Sequence, residues 1–390
     1  MREGWEYKKL GDVCTIERGG SPRPIADYIT ESADGINWIK IGDAVEGSKY
    51  ILFTKEKIRP EGIKKSRFVH KGDVILSNSM SFGKPYILGI DGCIHDGWLV
   101  LHDNNNTFSK DYLYYVLSSP IMYSNFTQLA VGGVVNNLNS NIVREVVVAI
   151  PPLSTQLSIV SELDKINELI RLKKEQLKDY DNLAQSIFYE MFGDPVVNEK
   201  GWDFKKIGEI GTVERGAGIS KKDFVEDGLP CIHYGQLHTI LGPTTRHHHS
   251  CIPESLLPKY KIAHTNDVIM AITSEDVEGS CKSTAWLGNY DIVIGSDAAI
   301  LHHEQDGTFL SYYTMTKAFF NEKSKYAKGF KVTHISAKEI ENIPVYLPPL
   351  ALQKDFAKRI EDIEHQKENI KSTISDLETL LASRMQYWFD

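Results

Sequence analysis

The sequence predicts a mixed α/β (α+β) protein. Two homologous, strand-rich domains are expected, separated by two long helices that pair as an antiparallel coiled coil, with the halves related by a pseudo-two-fold axis. Three observations predict this. First, Gly4-Trp5-Glu6-Tyr7-Lys8-Lys9-Leu10-Gly11-Asp12-Val13 returns 197 residues later as Gly201-Trp202-Asp203-Phe204-Lys205-Lys206-Ile207-Gly208-Glu209-Ile210, and the match runs on through Glu17-Arg18-Gly19 and Glu214-Arg215-Gly216. Second, short Val- and Ile-rich runs lie between turn residues in both halves, the pattern of strands in an irregular α/β domain. Third, a double proline in each half opens a run of apolar residues spaced three and four apart, the pattern of a helix with one buried stripe.

Taken in order, the first domain is expected over residues 1–150. Its apolar runs include Asp73-Val74-Ile75-Leu76 and Glu145-Val146-Val147-Val148-Ala149-Ile150, and a short helix is expected near 110–117. Pro151-Pro152-Leu153, followed by Gln156, opens the first long helix over 151–193. Its stripe is Ile159, Leu163, Ile166, Ile170, Lys173, Leu177, Tyr180, Ala184 and Ile187, and Gly193-Asp194-Pro195 ends it. The second domain, over 194–347, repeats the strands as Asp267-Val268-Ile269-Met270-Ala271-Ile272 and Ile343-Pro344-Val345-Tyr346-Leu347, with a short helix near 308–320. Pro348-Pro349-Leu350 with Gln353 opens the second long helix over 348–390. Its stripe is Phe356, Ile360, Ile363, Lys367, Ile370, Ile374, Leu377 and Leu381, with Arg384 next.

Four heptads in one register define a coiled-coil seam. At about 1.5 Å per residue, a helix of about 35 residues is roughly 50 Å long. Antiparallel pairing would set Lys173 near Ile370, with Lys367 one turn away. Lysines on a seam cost stability but fix register, or else they face acidic residues of another protein.

The 390-residue chain is long enough for two or three domains, and its 42% apolar and 25% charged content is that of an ordinary soluble protein. No stretch is apolar and long enough to span a membrane. No basic-then-apolar leader opens it, so a cytoplasmic protein is expected. Five scattered cysteines (14, 93, 231, 251, 281) without a Cys-x-x-Cys pair read as reduced thiols. Net charge is −8, yet residues 1–150 carry 17 basic and 17 acidic groups, so the acid surplus lies further along the chain. Binding DNA requires a basic stripe and not a basic total.

No catalytic motif is present. Gly42-Asp43-Ala44-Val45-Glu46-Gly47-Ser48-Lys49 resembles a phosphate loop but has Ser48 where lysine is needed. Both Pro-Pro pairs precede Leu, unlike the Asn/Asp-Pro-Pro-aromatic tetrapeptide of amino-methyltransferases. His247-His248-His249, near Cys251, His233 and His238, cannot all converge on one ion from an extended loop, so no metal site is expected. Glu17-Arg18 and Glu214-Arg215 read as a repeated structural ion pair at a strand end.

These features, doubled and in order, resemble the specificity (S) subunits of Type I restriction–modification systems over essentially the whole length. The resemblance rests on the opening Gly-Trp…Lys-Lys-Leu-Gly-Asp…Glu-Arg-Gly, on Lys71-Gly72-Asp73-Val74-Ile75-Leu76-Ser77, and on the tandem Pro-Pro-Leu-x-x-Gln helix starts. Thr155 and Leu352 stand where the family has Glu before that Gln, and Thr265-Asn266-Asp267 replaces Lys-Gly-Asp in the second copy. These changes affect local capping and a turn, not the architecture.

The resemblance implies a non-catalytic DNA-recognition subunit. Each domain would be a target-recognition domain reading one half of a split site in double-stranded DNA. The coiled coil would act as a ruler between the half-sites. Two methyltransferase (M) subunits would dock on the helices and supply adenine-N6 methylation from S-adenosylmethionine. Two restriction (R) subunits would add ATP- and Mg-dependent translocation and cleavage in defence against phage. This chain itself would bind no cofactor. The alternatives are a specificity component of a methylation-only or other phage-defence assembly, and a stand-alone tandem DNA-binding protein.

Bases are read by side chains that reach groove edges, and phosphates are gripped by Lys and Arg. In the first domain the candidates are Asn78, Ser79 and Lys84 in the loop after Leu76, Asn136 and Asn137 before a buried strand, Lys64, Lys65 and Arg67 for phosphates, and Arg23 on a proline-flanked loop. In the second they are Tyr234, Gln236 (an adenine-pairing type), Arg246, Ser274, Lys282, Lys328 and Lys331.

Overall fold

The structure, a computed structural model, describes residues 2–45, 47–78, 82–130, 138–255, 260–327 and 332–390. Two compact units emerge, Met1–Lys174 with Ser372–Asp390, and Glu175–Lys371. Each combines one strand-rich domain with segments of both long helices.

The first unit is built on a five-stranded sheet in the order Cys14–Arg18, Trp98–Asp103, Val74–Ser77, Pro85–Leu88, Tyr50–Ile51. All its pairs are antiparallel except the last. Alternation along these strands divides the core. Ile16, Val74, Leu76, Leu99 and Leu101 face the helices, while Ile75, Tyr86, Leu88, Trp98 and Val100 face a second sheet. That second sheet runs Ile29–Thr30, Glu56–Ile58, Ile36–Ile39, Gly92–Ile94, Arg67–Val69.

The second unit repeats the plan. Its central sheet runs Gly211–Arg215, Ala298–His303, Val268–Ala271, Ser283–Trp286, Thr244–Thr245, beside a four-stranded sheet Ser250–Ile252, Leu229–Ile232, Ile292–Ile294, Lys261–Ala263. In both units the repeated opening motif supplies an edge strand. Glu6–Lys9 pairs with Val147–Ile150, and Phe204–Lys206 pairs with Pro344–Tyr346.

Local chemistry explains where the elements depart from expectation. Val147–Ile150 is shorter than the predicted apolar run, because Asn139 accepts from the Asn141 and Ile142 amides and caps a helix, Ser140–Glu145, in front of it. The helix expected near 308–320 is two helices, Gly307–Thr314 and Lys317–Lys323. The Thr316 hydroxyl accepts from Phe319 N and starts the second. The first domain has the same pair, Lys110–Ser118 and Pro120–Ala130, with Ser119 bonded to Met122 N at the matching place.

The long helices span Leu153–Phe192 and Leu350–Phe389. Among the described residues no helix is long and apolar enough to cross a membrane. The glutamine of each Pro-Pro-Leu-x-x-Gln motif is buried and fully bonded. Gln156 accepts from Ser109 N (2.8 Å) and donates to the Thr107 and Pro151 carbonyls (3.0 Å each). Gln353 accepts from Asp306 N (3.0 Å) and donates to Pro348 O (2.8 Å) and Gln305 Oε1 (3.0 Å).

Within each unit the two helix segments run antiparallel. In the first, Glu162 pairs with Arg384 and accepts from Trp388 Nε1 (3.0 Å), and Lys174 pairs with Glu378 at 2.8 Å. Ile159 and Leu163 are buried in the same core as Met385, with Leu381 and Trp388 packed against it. In the second, Ala184, Phe188 and Phe192 meet Phe356, Ile360 and Ile363, with the Phe188 and Phe192 rings 5.6 and 5.3 Å from Phe356.

Ile166, Ile170, Ile370 and Ile374 are also buried, whereas Lys173, Leu177, Tyr180 and Leu377 are half-buried. Ile187 is half-buried and its neighbour Phe188 takes the core place. An untwisted helix drifts about 20° per heptad from a strict 3.5 repeat, enough to turn the stripe by the end of the run. Lys367 is buried, and its partners are intramolecular: Asp181 on the facing helix and Glu364, both at 2.8 Å. Burial opposes its charge, but these two carboxylates outweigh it and raise its pKa.

Truncating Gln353 would orphan a buried amide and a buried carbonyl. Gln353→Ala is expected to lower unfolding stability by about 2–4 kcal/mol, read from guanidinium denaturation of the full chain. A loss below about 0.5 kcal/mol would show that this lock is not a major element of the fold.

Candidate nucleic-acid interface

In the first domain three loops meet at one end of the sheets, around Asp96. Gly19 follows strand Cys14–Arg18 and passes so close to the backbone that a Cβ there would lie 2.2 Å from His95 O. Arg18 Nε donates to Asp96 O (2.9 Å), Ser21 Oγ to Asp96 Oδ1 (2.8 Å) and Asn78 Nδ2 to Asp96 O (2.9 Å). The Arg23 guanidinium lies 3.7 Å from the Asp96 carboxylate with its side chain 82% exposed. Although partial burial pulls the other way, the Ser21 hydroxyl, His95 and Arg18 together hold the Asp96 carboxyl below the ordinary carboxylate range.

The second domain builds the same end from the repeated residues. Gly216 stands where a Cβ would meet Gly295 O at 2.2 Å, and Arg215 Nε donates to Ser296 O (3.0 Å). Asp297 accepts from the Thr273 hydroxyl (3.3 Å), which also lies 3.2 Å from His334 Nδ1. His238 Nε2 sits 3.1 Å from Thr273 O, and Lys282 Nζ donates to His238 O (3.2 Å). Exposed cations and hydroxyls on loops held by a rigid sheet can grip phosphates and reach base edges.

The loop after the central strand also repeats. Ser77 N bonds Lys84 O and Ala271 N bonds Lys282 O, closing each loop at its base. Gly83 and Cys281, at φ +80° and +56°, take the same left-handed turn before the closing lysine. Asn78 N bonds Gly97 O where Ile272 N bonds Asp297 O. The two loops are therefore equivalent, although the second, from Ile272 to Ser280, is longer.

Several candidates take other roles. Asn78 is 2% exposed and fastens the loop to Asp96, so it does not face solvent. Gln236 is 9% exposed. It accepts from His233 N (2.9 Å) and donates to Ser250 Oγ (3.1 Å), capping helix Tyr234–Thr239, so its amide is not available to an adenine.

Arg246 pairs with Glu361 on the second long helix at 2.5 Å. The first domain has the counterpart, Lys49 paired with Asp164 on the first long helix (2.6 Å) and with Asp111 (2.9 Å). Asp164 and Glu361 are repeat-related, so Arg246 joins its domain to the long helix as Lys49 does in the first. Arg67 pairs with Glu17 at 3.2 Å as Lys261 pairs with Glu214 at 2.6 Å. The Glu-Arg doublets therefore do not pair internally. The glutamate holds a base on another strand, and the arginine closes onto the loop backbone.

Lys64 and Lys84 are exposed, and Lys65 is exposed with its ammonium on the Tyr28 hydroxyl at 2.6 Å. Tyr234 is half-buried between His233 and His238, its ring 4.6 and 6.2 Å from theirs. Ser274 is half-buried at the start of the second-domain loop. Ser79, Asn136, Asn137, Lys328 and Lys331 lie outside the described residues. Residue-by-residue reading missed Asp96, Asp297, Thr273 and His334. The signal available was the repeated Arg-Gly at a strand end, which marks a close backbone approach.

The comparisons with known proteins agree with this geometry. A family model described as Type I restriction modification DNA specificity domain matches residues 2–179 and again 199–379. The Type I restriction enzyme MjaVIII specificity subunit of Methanocaldococcus jannaschii is 23% identical over 418 aligned residues, covering 98% of this chain and 92% of that protein. A chain from a structural study of complex assembly and conformational transition of the type I R-M system covers 99% of this chain and 97% of its own, at 20% identity and TM-score 0.62. A Type-I restriction-modification system S subunit from M. genitalium covers 99% and 96%, at 13% identity and TM-score 0.55. Tandem strand-rich domains on paired long helices define a DNA specificity protein as a class. The chain belongs to the Type I restriction modification DNA specificity family.

Because the Gln236 amide is internal, Gln236→Ala is expected to cost about 1–2 kcal/mol of stability and to leave base preference unchanged. Thermal unfolding and a single-base-variant DNA panel check the two halves of that statement. A relaxed base preference at wild-type stability would return Gln236 to the reading surface.

Proposed function

We propose that this chain is the DNA-recognition subunit of a Type I restriction–modification assembly, with each domain reading one half of a bipartite site. The observation that carries this reading is the doubled loop end, where Arg18-Gly19 around Asp96 and Arg215-Gly216 around Asp297 present polar and cationic side chains from the same sheet position. A pair of equivalent reading ends suits a target with two separated halves.

The antiparallel helices act as the ruler between half-sites and as the dock for methyltransferase subunits. Two methyltransferase subunits supply adenine-N6 chemistry from S-adenosylmethionine, and two restriction subunits supply ATP- and Mg-dependent cleavage. The chain itself steers that chemistry and performs none of it, in the cytoplasm. Lys65, Lys84, Arg23 and Lys282 contact phosphates, and the two equivalent loops approach base edges.

Mapping methylated adenines across the host genome, with and without this chain, tests the reading. The expected result is one bipartite motif that disappears with the chain. A motif that is unaffected, or that has no internal spacer, overturns it. Inserting one heptad into each long helix, between Ile170 and Leu177 and between Ile370 and Leu377, is expected to change the spacer and leave both half-sites intact. An unchanged spacer with an altered half-site would refute the ruler.

A further inference from the structure

The two equivalent loops are supported from beneath by the same helix position with opposite chemistry. The supporting helices are Pro120–Ala130 and Lys317–Lys323, related by the 197-residue repeat through Ser119 and Thr316. In the first domain the position is Phe126, fully buried, whose ring lies 3.4 Å from where a Cβ on Gly83 would stand. In the second it is Lys323, 4% exposed.

Its ammonium is directed into the loop, donating to Glu278 O (2.8 Å) and Ser280 O (2.5 Å). Burial lowers its pKa, and the neighbouring Cys281 is buried too. An ammonium taken out of water at such cost needs fixed acceptors, and here both are loop carbonyls.

The loop needs this support. Ile272–Ser280 is longer than its counterpart. Its amino-terminal limb is held to the body of the domain, where Thr273–Ser274 pairs with Thr333–His334 and the Thr273 hydroxyl meets Asp297. Beyond Ser274 three ties are local: Gly279 N to Asp276 Oδ1 (2.7 Å), Ser280 Oγ to Val277 O (2.7 Å) and Asp276 N to Ser274 Oγ (3.4 Å). Gly279 passes so near Ser274 that a Cβ would fall 2.2 Å from its hydroxyl, so the tip is folded tightly back on its start. None of these three local bonds reaches the body of the domain. Lys323 joins the carboxyl-terminal limb of the loop to the supporting helix.

We infer that Lys323 is a positioning residue for sequence reading by the second domain, holding the 272–280 loop in its reading conformation through the Glu278 and Ser280 carbonyls, a role that an apolar contact at Phe126 fills in the first domain. This inference rests on the proposed DNA-recognition function. It makes the two half-sites separable by a substitution that touches neither DNA nor the long helices.

The experiment compares genome-wide adenine methylation in cells carrying the full assembly with wild-type chain, Lys323→Met or Lys323→Gln. The methionine keeps the stem and removes the donors; the glutamine keeps one donor group. A wild-type map without a bipartite motif refutes the DNA-recognition reading itself. With that motif in place, Lys323→Met is expected to lower the ratio of methylation at cognate over single-mismatch sites by about tenfold or more in one half-site, the size of one lost base discrimination. The other half-site keeps its ratio, Lys323→Gln shows a smaller loss in the same half, and faster amide exchange is confined to residues 272–282. Wild-type stringency in both halves, or equal relaxation of both, overturns the inference. So does failure of both variants to give soluble assembly, which would assign Lys323 to the folding core.

Discussion

The structure depends on a single buried amide in each half. Gln156 and Gln353 are 1% and 0% exposed, and each ties a long helix to its own double-proline turn and to the residues leading into Lys110–Ser118 or Gly307–Thr314. A buried amide left with unmatched donors or acceptors costs a large part of a domain's margin of stability. The side chain therefore tolerates one arrangement of helix and domain. The ion pairs at Asp164 and Glu361, two turns further along each helix, act on top of that lock. The cations that reach them, Lys49 and Arg246, are themselves 197 residues apart, so both members of the pair recur at the repeat spacing.

The same pattern recurs at the reading end. The framework is duplicated: the glycine against a carbonyl, the arginine closing onto the loop, the left-handed residue before a closing lysine. What fills the framework differs. Ser21 and Asn78 gather at Asp96, whereas Thr273, His334 and His238 surround the corresponding place near Asp297. A duplicated scaffold with divergent loops allows one chain to read two different sequences, because backbone bonds set the loop's place and side chains set its chemistry.

Much of this was legible in the sequence. The repeat, the strand runs and the heptads mark tandem domains and paired helices, because periodicity follows directly from which face is buried. Ile159, Leu163, Phe356 and Ile360 of the expected stripe are buried, while Ile187 is half-buried against the core beside the buried Phe188, as the drift of a helix from a strict heptad allows. Site residues were less legible. Asn78, Gln236 and Arg246 have the residue types of DNA readers, yet each is engaged by a partner distant in sequence: Asp96, Ser250 and Glu361. A polar side chain in a loop looks the same in sequence whether it faces solvent or closes a hydrogen bond.

By itself the sequence determined that the chain is doubled, that each half opens with the same motif and closes with a long helix, and that the helices share a register. Those properties are written in local pattern and in repetition at fixed spacing. Only the tertiary structure decided which cations clamp a domain to its helix and which remain exposed, which loops converge on Asp96 and Asp297, and that Lys323 stands beneath one loop where Phe126 stands beneath the other. These depend on contacts between residues tens to hundreds of positions apart, where charge, burial and distance act together and no local pattern records the outcome.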